Sequence, residues 1–154
     1  MLLVLFTLGD QRYGLDAAVV ELIVPALPLR AVPGTPAAVA GVFSFHGAVT
    51  PVIDLAQLTL GRPARAALSS RFIVARYTAT EGGAEHFLGL LAESVNEVRD
   101  IPDAQLRESS VRSPGAPFLG PVADTTCGLV QTVTLQNLLP TDLRAILFPE
   151  AVAS

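Results

Sequence analysis

The chain has 154 residues, enough for one ordinary domain or for two small subdomains that share a core. Its formal net charge is −4, and its 10 basic residues are all arginines scattered along the sequence. It therefore lacks the clustered positive charge of a nucleic-acid-binding protein. The single cysteine, Cys127, excludes an intrachain disulfide and fits a reducing, cytoplasmic setting.

The apolar content raises the question of a membrane, since the mean hydropathy is +0.51. Residues 31–53 carry no formal charge over the length of a membrane span, but prolines and glycines interrupt them repeatedly. Residues 2–8 are too short for a signal peptide core and have no basic flank. We therefore predict no direct membrane insertion. The surplus of apolar residues favours a surface that a partner covers.

The chain opens with two β-type runs, residues 2–8 and 11–15, around a Gly-Asp turn dipeptide. This pattern predicts a hairpin. Asp16 is then placed to cap a helical turn over residues 17–20. Prolines further on end regular structure before the next predicted element.

A second hairpin is predicted over residues 41–53, where two apolar runs flank His46-Gly47. Glycine suits the turn because it tolerates a positive φ. Asp54 follows as the predicted N-cap of a short helix that begins at Leu55, and a glycine and a proline end this helix.

The second half continues the pattern of short strands and turns, which favours an all-β barrel class. Its predicted elements are a linker over 62–70, a strand over 71–77, a hairpin tip over 78–84, a strand over 86–91, a helical turn from Glu93 or Ser94, an extended segment from Val98, a loop over 111–120, a strand over 129–133, and short helices over 135–139 and 141–148.

A weak internal repeat relates the two halves. Residues recur after 75 positions, as Gly14 with Gly89, Leu15 with Leu90 and Val20 with Val95. In each half, a Pro-Gly loop leads to a β run that passes into a capped helical turn. We predict two β-barrel-like subdomains, the first over about 14–75 and the second over about 1–13 with 76–150.

The sequence advertises no catalytic or metal constellation. Two histidines and one cysteine show no ligand spacing, so we predict no metal or cofactor. Cys127 beside a glycine is predicted to be a small core residue, and a thiol nucleophile would need a base that the sequence does not indicate. Glu93 and Glu97 would share a helical face as a solvated pair, with acid–base catalysis the weaker alternative.

A family resemblance extends over about residues 3–139. It is carried by FTLG at 6–9, YGLD at 13–16, VPGTP at 32–36, GVFSFHG at 41–47, PVIDL at 51–55, GL at 89–90 and SVNEV at 94–98. In order and spacing these segments resemble the CheW-like domain, the coupling-protein family of bacterial chemosensory arrays. The resemblance implies a mainly β fold of two intertwined, five-stranded SH3-like barrels with short helices.

The resemblance also implies a non-catalytic adaptor without a cofactor, in the cytoplasm at membrane-associated receptor arrays. Its implied partners are the regulatory domain of a CheA-type histidine kinase and the cytoplasmic tip of a chemoreceptor. These would be held by an apolar groove between the subdomains and by the outer barrel faces. The implied partner-binding residues are Val19, Val20, Leu22, Phe45, His46, Gly47, Val95, Glu97 and Val98.

Two positions depart from the family pattern. The family turn usually carries arginine where this chain has His46, and histidine offers at most two donors in place of five. The family usually has glutamate at Leu22, whereas here Glu21 lies one residue earlier. Two alternatives therefore stay open. One is an accessory protein that competes in or modulates an array without ordinary coupling, and the other is a small-ligand sensor, which needs an enclosed pocket between the halves.

Overall fold

Two β-sheets make up most of the fold in the computed structural model, which describes residues 1–109, 111 and 113–149. The first sheet consists of β1 (Leu2–Leu8), β2 (Gln11–Asp16), β8 (Ser94–Asp100), β9 (Leu106–Arg107), β10 (Leu119–Thr125) and β11 (Gly128–Val133). The second consists of β3 (Val20–Pro25), β4 (Val39–Phe45), β5 (Ala48–Asp54), β6 (Arg71–Thr78) and β7 (Glu85–Ala92). The prediction of a mainly β fold is confirmed.

The two sheets share one internal plan. The first has the strand order β8-β1-β2-β11-β10-β9, and the second has the order β3-β6-β7-β5-β4. Each contains an antiparallel hairpin, β1–β2 or β6–β7, whose second strand pairs in parallel with β11 or β5. The topology therefore contains the internal repeat that the sequence predicts, with the short β9 added to the first sheet.

The chain crosses between the sheets at two equivalent places. After β2, a 3₁₀ turn over Ala17–Val19 leads to β3 in the second sheet, and after β7, Glu93 leads to β8 in the first. Each sheet is thus completed at one edge by a strand that arrives from the other sheet. The family resemblance implied two intertwined barrels, and this exchange of edge strands is how the two sheets are intertwined.

The predicted boundary between two subdomains near residue 75 stays a prediction, because it concerns which parts of the chain fold together. The hydrogen-bonded sheets do not divide there, because β6 pairs with β7 from Arg71 opposite Ala92 to Thr78 opposite Glu85. A boundary near residue 75 would cut this hairpin. The sheets instead exchange strands at the two crossings.

The predicted caps and turns of the first half are present. Oδ1 of Asp16 accepts a hydrogen bond from the amide of Ala18 at 2.9 Å. Oδ1 of Asp54 accepts from the amides of Ala56 and Gln57 at 3.0 and 3.2 Å, so it caps α1 (Leu55–Leu60). These carboxylates satisfy amides that a helix leaves without a partner in its first turn.

Some predicted elements differ. The helical turn at Glu93 or Ser94 is wrong, because Ser94–Asp100 forms β8, whose residues pair with β1. Glu93 and Glu97 therefore share no helical face. The predicted helix over 135–139 is a 3₁₀ turn over Leu135–Asn137, while the C-terminal helix is present as α2 (Thr141–Leu147). A further 3₁₀ turn, Asp103–Gln105, precedes β9.

The predicted loop over 111–120 is present in part. Arg112 lies outside the described residues, and the end of the predicted loop already belongs to β10. The sequence did not predict this strand, because Gly120-Pro121 resembles loop composition. The register shift between Leu119 and Val122 accommodates the proline in the strand.

The hydrophobic core has three parts. A shared core lies between the sheets and includes Phe6 from β1, Tyr77 from β6 and Leu143 from α2. Leu3, Leu5, Ile101, Ala123 and Val130 form a separate buried cluster of the first sheet. In the second sheet, fully buried side chains outside the shared core are Val52, Phe72 and Val74. Burial on both faces of each sheet explains the high apolar content of the strands.

Glu93 is a polar junction at the second crossing, and its side chain is 12% exposed. Its carboxylate accepts hydrogen bonds from the amide of Gly9, at 2.6 Å, and from the amide of Arg65, at 2.6 Å. The guanidinium of Arg62 also donates to both carboxylate oxygens, at 2.9 and 3.1 Å. Ser69 Oγ donates to the Glu93 carbonyl at 3.0 Å. One residue thus joins the first hairpin, the linker after α1 and the crossing.

These donors, with Arg62 first, lower the pKa of Glu93 from 4.5 to about 2. We expect Glu93→Gln to lower the free energy of unfolding by about 2–4 kcal/mol at neutral pH, because the amide cannot pair with Arg62 and leaves partly buried donors without an anion. Urea unfolding measures the loss. The stabilisation should be complete above the ordinary carboxyl pKa and disappear as the pH falls towards 2.

Glu97→Gln is the matched control, since Glu97 pairs with Arg99 at 2.7 Å on the same strand but is 42% exposed. We expect a change within about 0.5 kcal/mol. Equal losses in the two variants would contradict a special role of the Glu93 junction. So would an unchanged dependence of stability on acidic pH in Glu93→Gln.

Candidate protein-binding surfaces

The nine residues implied as partner-binding do not form one continuous surface. They lie at the two crossings, on the edge strand β8 of the first sheet, on the edge strand β3 of the second sheet and at the β4–β5 turn. The β4–β5 turn and β3 lie at opposite edges of the second sheet, because β4 and β3 are its two edge strands. The assignment of these residues to partners stays a prediction.

Val19, Val20 and Val95 occupy the crossings. All three are half-buried and pack against the shared core. Val20 lies opposite Ala75 of β6, and Val95 lies opposite Phe6 of β1. Their equivalent placement follows from the internal repeat, and much of each side chain serves the core.

Leu22 lies on the other face of β3 from Val20. The register of β3 shifts between these residues, so that Val20 is opposite Ala75 and Leu22 is opposite the adjacent Val74. A β-bulge at Glu21 explains the shift, since an extra residue reverses the alternation of faces. Leu22 is thereby turned to the side of the second sheet that carries Val74, away from the shared core.

The carboxylate of Glu21 is held by Arg76. Nη1 of Arg76 donates to Oε2 of Glu21 at 2.7 Å and to the carbonyl of Val20 at 3.4 Å. The same guanidinium donates to the carbonyl of Ala18 in the 3₁₀ turn. Glu21, the acidic residue one position before Leu22, is therefore already paired with an arginine of the same chain.

Glu97 and Val98 lie on β8, the edge strand of the first sheet. Glu97 is opposite Leu5 and pairs with Arg99, whereas Val98 is opposite Val4 and is 52% exposed. Successive residues of a strand point to opposite faces, so these two side chains cannot contact the same partner surface face-on. They are accessible together only along the edge of the sheet.

Phe45, His46 and Gly47 form the end of the β4–β5 hairpin. His46 has φ 50° and Gly47 has φ 78°, as a two-residue turn with two left-handed residues requires. The His46 ring stacks on Phe45 with a centroid distance of 4.0 Å, and Phe45 meets Phe87 edge-on at 5.0 Å. Although His46 is exposed, its ring lies back on the aromatic side chains of the sheet.

A groove lies at the seam between the sheets and has a volume of about 310 Å³. We call it the seam groove. Its walls come from both sheets and from the 3₁₀ turns, and they include Leu15, Val19, Arg76, Thr132 and Leu135. Among the predicted partner-binding residues, Val19 reaches this groove.

Sequence reasoning missed an exposed apolar surface on the second sheet. We call it the hairpin patch, defined by Val32, Val42, Val49, Pro51 and Ile146, which line a groove of about 190 Å³. Val49 is 76% exposed and Ile146 is 47% exposed. The alternation of the predicted strand after the turn could have indicated Val49 as an outward residue, but the contribution of α2 depends on the tertiary fold.

Cys127 is not a core residue, contrary to the prediction. It is exposed in the turn between β10 and β11, because the strands end at Thr125 and resume at Gly128. The guanidinium of Arg99 lies 3.9 Å from its sulfur and is the main cause that lowers the pKa of the thiol. No three His, Cys, Asp or Glu side chains of the described residues are placed to hold a metal ion.

Within the described part of the chain, no helix is both long enough and apolar enough to span a membrane. The described residues form a pair of strand-exchanged β-sheets with exposed apolar grooves. This architecture defines a class of mainly β domains built from two barrel-like halves. The chain belongs to the CheW-like domain family, whose model matches residues 2–141.

Relatives and a solved structure agree with this assignment. The chain is 32% identical over 101 residues to the "Probable chemotaxis protein CheW" of Rhizobium etli, a match that covers 66% of this chain and 61% of that protein. It is 27% identical over 105 residues to the "Chemotaxis protein CheW" of Rhizobium meliloti, covering 68% of this chain and 64% of that protein. Each match thus spans less than two thirds of the relative's length.

The crystal structure of the scaffolding protein TtCheW from Thermoanaerobacter tengcongensis superposes with a TM-score of 0.79 at 24% identity. The similarity covers 92% of this chain and 88% of that one. The family fold of two SH3-like subdomains, which the sequence predicted, is thereby confirmed.

The contact between Arg99 and Cys127 gives a testable consequence. Arg99→Gln should move the midpoint of thiol alkylation by iodoacetamide to higher pH, because the guanidinium that stabilises the thiolate is removed. The rate of alkylation, followed across pH by mass spectrometry, measures this midpoint. Arg107→Gln removes the same charge from β9 and should leave the midpoint unchanged. A shift of equal size in both variants would contradict a local effect.

Proposed function

We propose that this chain is a non-catalytic adaptor of a cytoplasmic chemosensory array, which joins a CheA-type histidine kinase to the tips of chemoreceptors. Membership of the CheW-like family supports this function, as do the names of the relatives and of the scaffolding protein TtCheW. The single observation that carries the proposal is the hairpin patch, an apolar surface held on a rigid sheet.

The hairpin patch is suited to a folded partner domain. Val42 and Pro51 lie opposite each other on β4 and β5, so their positions are fixed by the ladder. Ile146 adds a contact from α2, which Leu143 anchors in the shared core. A preorganised apolar surface loses little conformational entropy on binding, which favours a stable protein contact. We assign this surface to the regulatory domain of the kinase.

The seam groove is the proposed site for the receptor tip, which would insert an apolar helix face. The size of the groove would also admit a small ligand. However, Arg76 is already engaged by Glu21 and by backbone carbonyls, and Asp16 caps the 3₁₀ turn. Because these charged groups are occupied within the chain, the groove favours an apolar protein segment over a polar small molecule.

A second candidate function is that of an accessory protein that modulates an array without ordinary coupling. The observation that favours it is the stacking of His46 on Phe45, at 4.0 Å between ring centroids. A stacked imidazole cannot extend from the turn as a long guanidinium does, and it has fewer donors for a partner. In this candidate function the chain occupies a kinase contact but transmits no signal.

Val49→Asp tests the hairpin patch. We expect kinase binding to weaken by about tenfold or more, because burying a carboxylate in an apolar contact is unfavourable. Isothermal titration calorimetry with the regulatory domain of the kinase from the same genome measures the affinity. Val111→Asp is the matched control, since Val111 is 79% exposed and Val49 is 76% exposed. Absence of binding to the wild-type chain, or equal weakening by both variants, would reject the assignment.

His46→Arg separates the two candidate functions. If the turn limits coupling, receptor-stimulated kinase activity should rise when the guanidinium is present, with the amount of bound kinase little changed. A reconstituted assay with receptor tip, kinase and adaptor measures phosphoryl transfer. His86→Arg, on the neighbouring β7, controls for the added charge. Full coupling by the wild-type chain would reject the accessory function.

A further inference from the structure

A groove separate from the predicted partner-binding residues lies at one end of the second sheet. It has a volume of about 390 Å³ and is bounded by residues 26–29, which follow β3, and by the linker after α1. Phe72 of β6 and Leu91 of β7 lie opposite each other and form its apolar floor. We call it the linker groove.

The rim of the linker groove exposes a large apolar side chain, since Leu27 lines the groove and is 51% exposed. A single exposed leucine is ordinary, but one beside an apolar floor adds to a surface that water covers at a free-energy cost. A bulky apolar side chain between these walls would contact mainly Leu91, because Phe72 is only 1% exposed.

The charge around the linker groove is positive, although the chain as a whole has a net charge of −4. Arg65 lines the groove, and its guanidinium forms no ion pair with a carboxylate of the described residues. Arg71, next to the groove-lining residue Ser70 but not itself in the lining, donates to the carbonyls of Leu68 and Ser70 at 2.7 and 2.9 Å. Among the described residues, no aspartate or glutamate lines the groove.

The nearby carboxylate does not neutralise this charge. Glu93 is bound on both oxygens by the guanidinium of Arg62, and it accepts the backbone amide of Arg65 rather than the side chain. Charge complementarity therefore favours an occupant that brings a negative charge to Arg65. With one arginine at the rim of an acidic chain, attraction to an anionic membrane is weak, and this favours a protein segment.

We propose that the linker groove docks an acidic segment of a partner protein. A bulky apolar side chain of the segment packs on Leu27 and Leu91, above the buried Phe72, and a neighbouring carboxylate pairs with Arg65. This site shares no residue with the hairpin patch or the seam groove, and it stands independently of the proposed adaptor function.

The test uses the full chain and a fluorescein-labelled, acetylated peptide in which a leucine and a phenylalanine are flanked by glutamates. Fluorescence anisotropy measures the affinity at low and high salt. We expect binding that weakens with salt and is lost when glutamines replace the glutamates or serines replace the two apolar residues. We expect Arg65→Gln to weaken binding by about tenfold, because it removes the cation without changing the apolar floor.

Matched variants separate this site from a general charge effect. Arg107→Gln makes the same charge change on β9 of the other sheet and should alter affinity by less than about twofold. Leu27→Ser should weaken binding, whereas Leu129→Ser, at a 66% exposed position of β11, should not. The thermal unfolding midpoint of each variant shows whether the fold is kept.

Several results would overturn the proposal. These are no peptide binding by the wild-type chain, equal losses in Arg65→Gln and Arg107→Gln, or unchanged binding by Leu27→Ser. Sedimentation that detects a wild-type dimer abolished by Arg65→Gln would assign the groove to a second copy of the chain instead. Vesicles of anionic lipid that displace the peptide would assign it to a membrane. Arg65→Gln should leave kinase binding unchanged. A result that rejects the linker groove as a docking site can therefore be distinguished from one that rejects kinase binding at the hairpin patch.

Discussion

The carboxylate of Glu93 joins parts of the chain that belong to different sheets. It accepts the amide of Gly9 in the first hairpin and the guanidinium of Arg62 beyond α1, at the residue where β7 gives way to β8. The exchange of strands between the sheets makes the Glu93 junction important for both of them. Since each sheet takes its edge strand from the other, neither sheet is complete alone, and both depend on the geometry of the crossings. The hydrogen bonds of Glu93 fix the geometry of the crossing, and burial of apolar side chains in the shared core stabilises the two sheets together.

The two crossings use different chemistry for the same topological step. At the first, Asp16 caps a three-residue 3₁₀ turn, and Arg76 holds the turn and the bulge at Glu21. At the second, Glu93 itself makes the crossing and receives donors from two other segments. Both crossings thus depend on an arginine that is distant in sequence, but at the first crossing Arg76 donates mainly to backbone carbonyls and Glu21, whereas at the second Arg62 donates to Glu93 itself. A repeat in topology does not require a repeat in the contacts that stabilise it.

Local chemistry explains what the sequence could predict. The helix cap at Asp54 and the turn at His46-Gly47 each depend on adjacent residues, so the sequence predicts both of them. Glu93 was misread because its role is set by partners far away in sequence, above all Arg62. The same applies to the hairpin patch, which needs α2 beside β4–β5, and to the bulge that turns Leu22 away from Val20. The family was readable because many weak local signals occur in a fixed order.

The departures at His46 and Leu22 have one physical consequence in common. The turn presents a ring stacked on Phe45, and the carboxylate at Glu21 is held by Arg76 on its own sheet. Both positions thus offer a partner fewer free charged groups than the family pattern does. Apolar burial supplies affinity, whereas charged groups chiefly supply orientation and partner choice. Under the proposed function, the hairpin patch would supply apolar affinity that does not depend on His46 or Leu22. We therefore expect these two departures to alter the choice of partner more than the strength of binding.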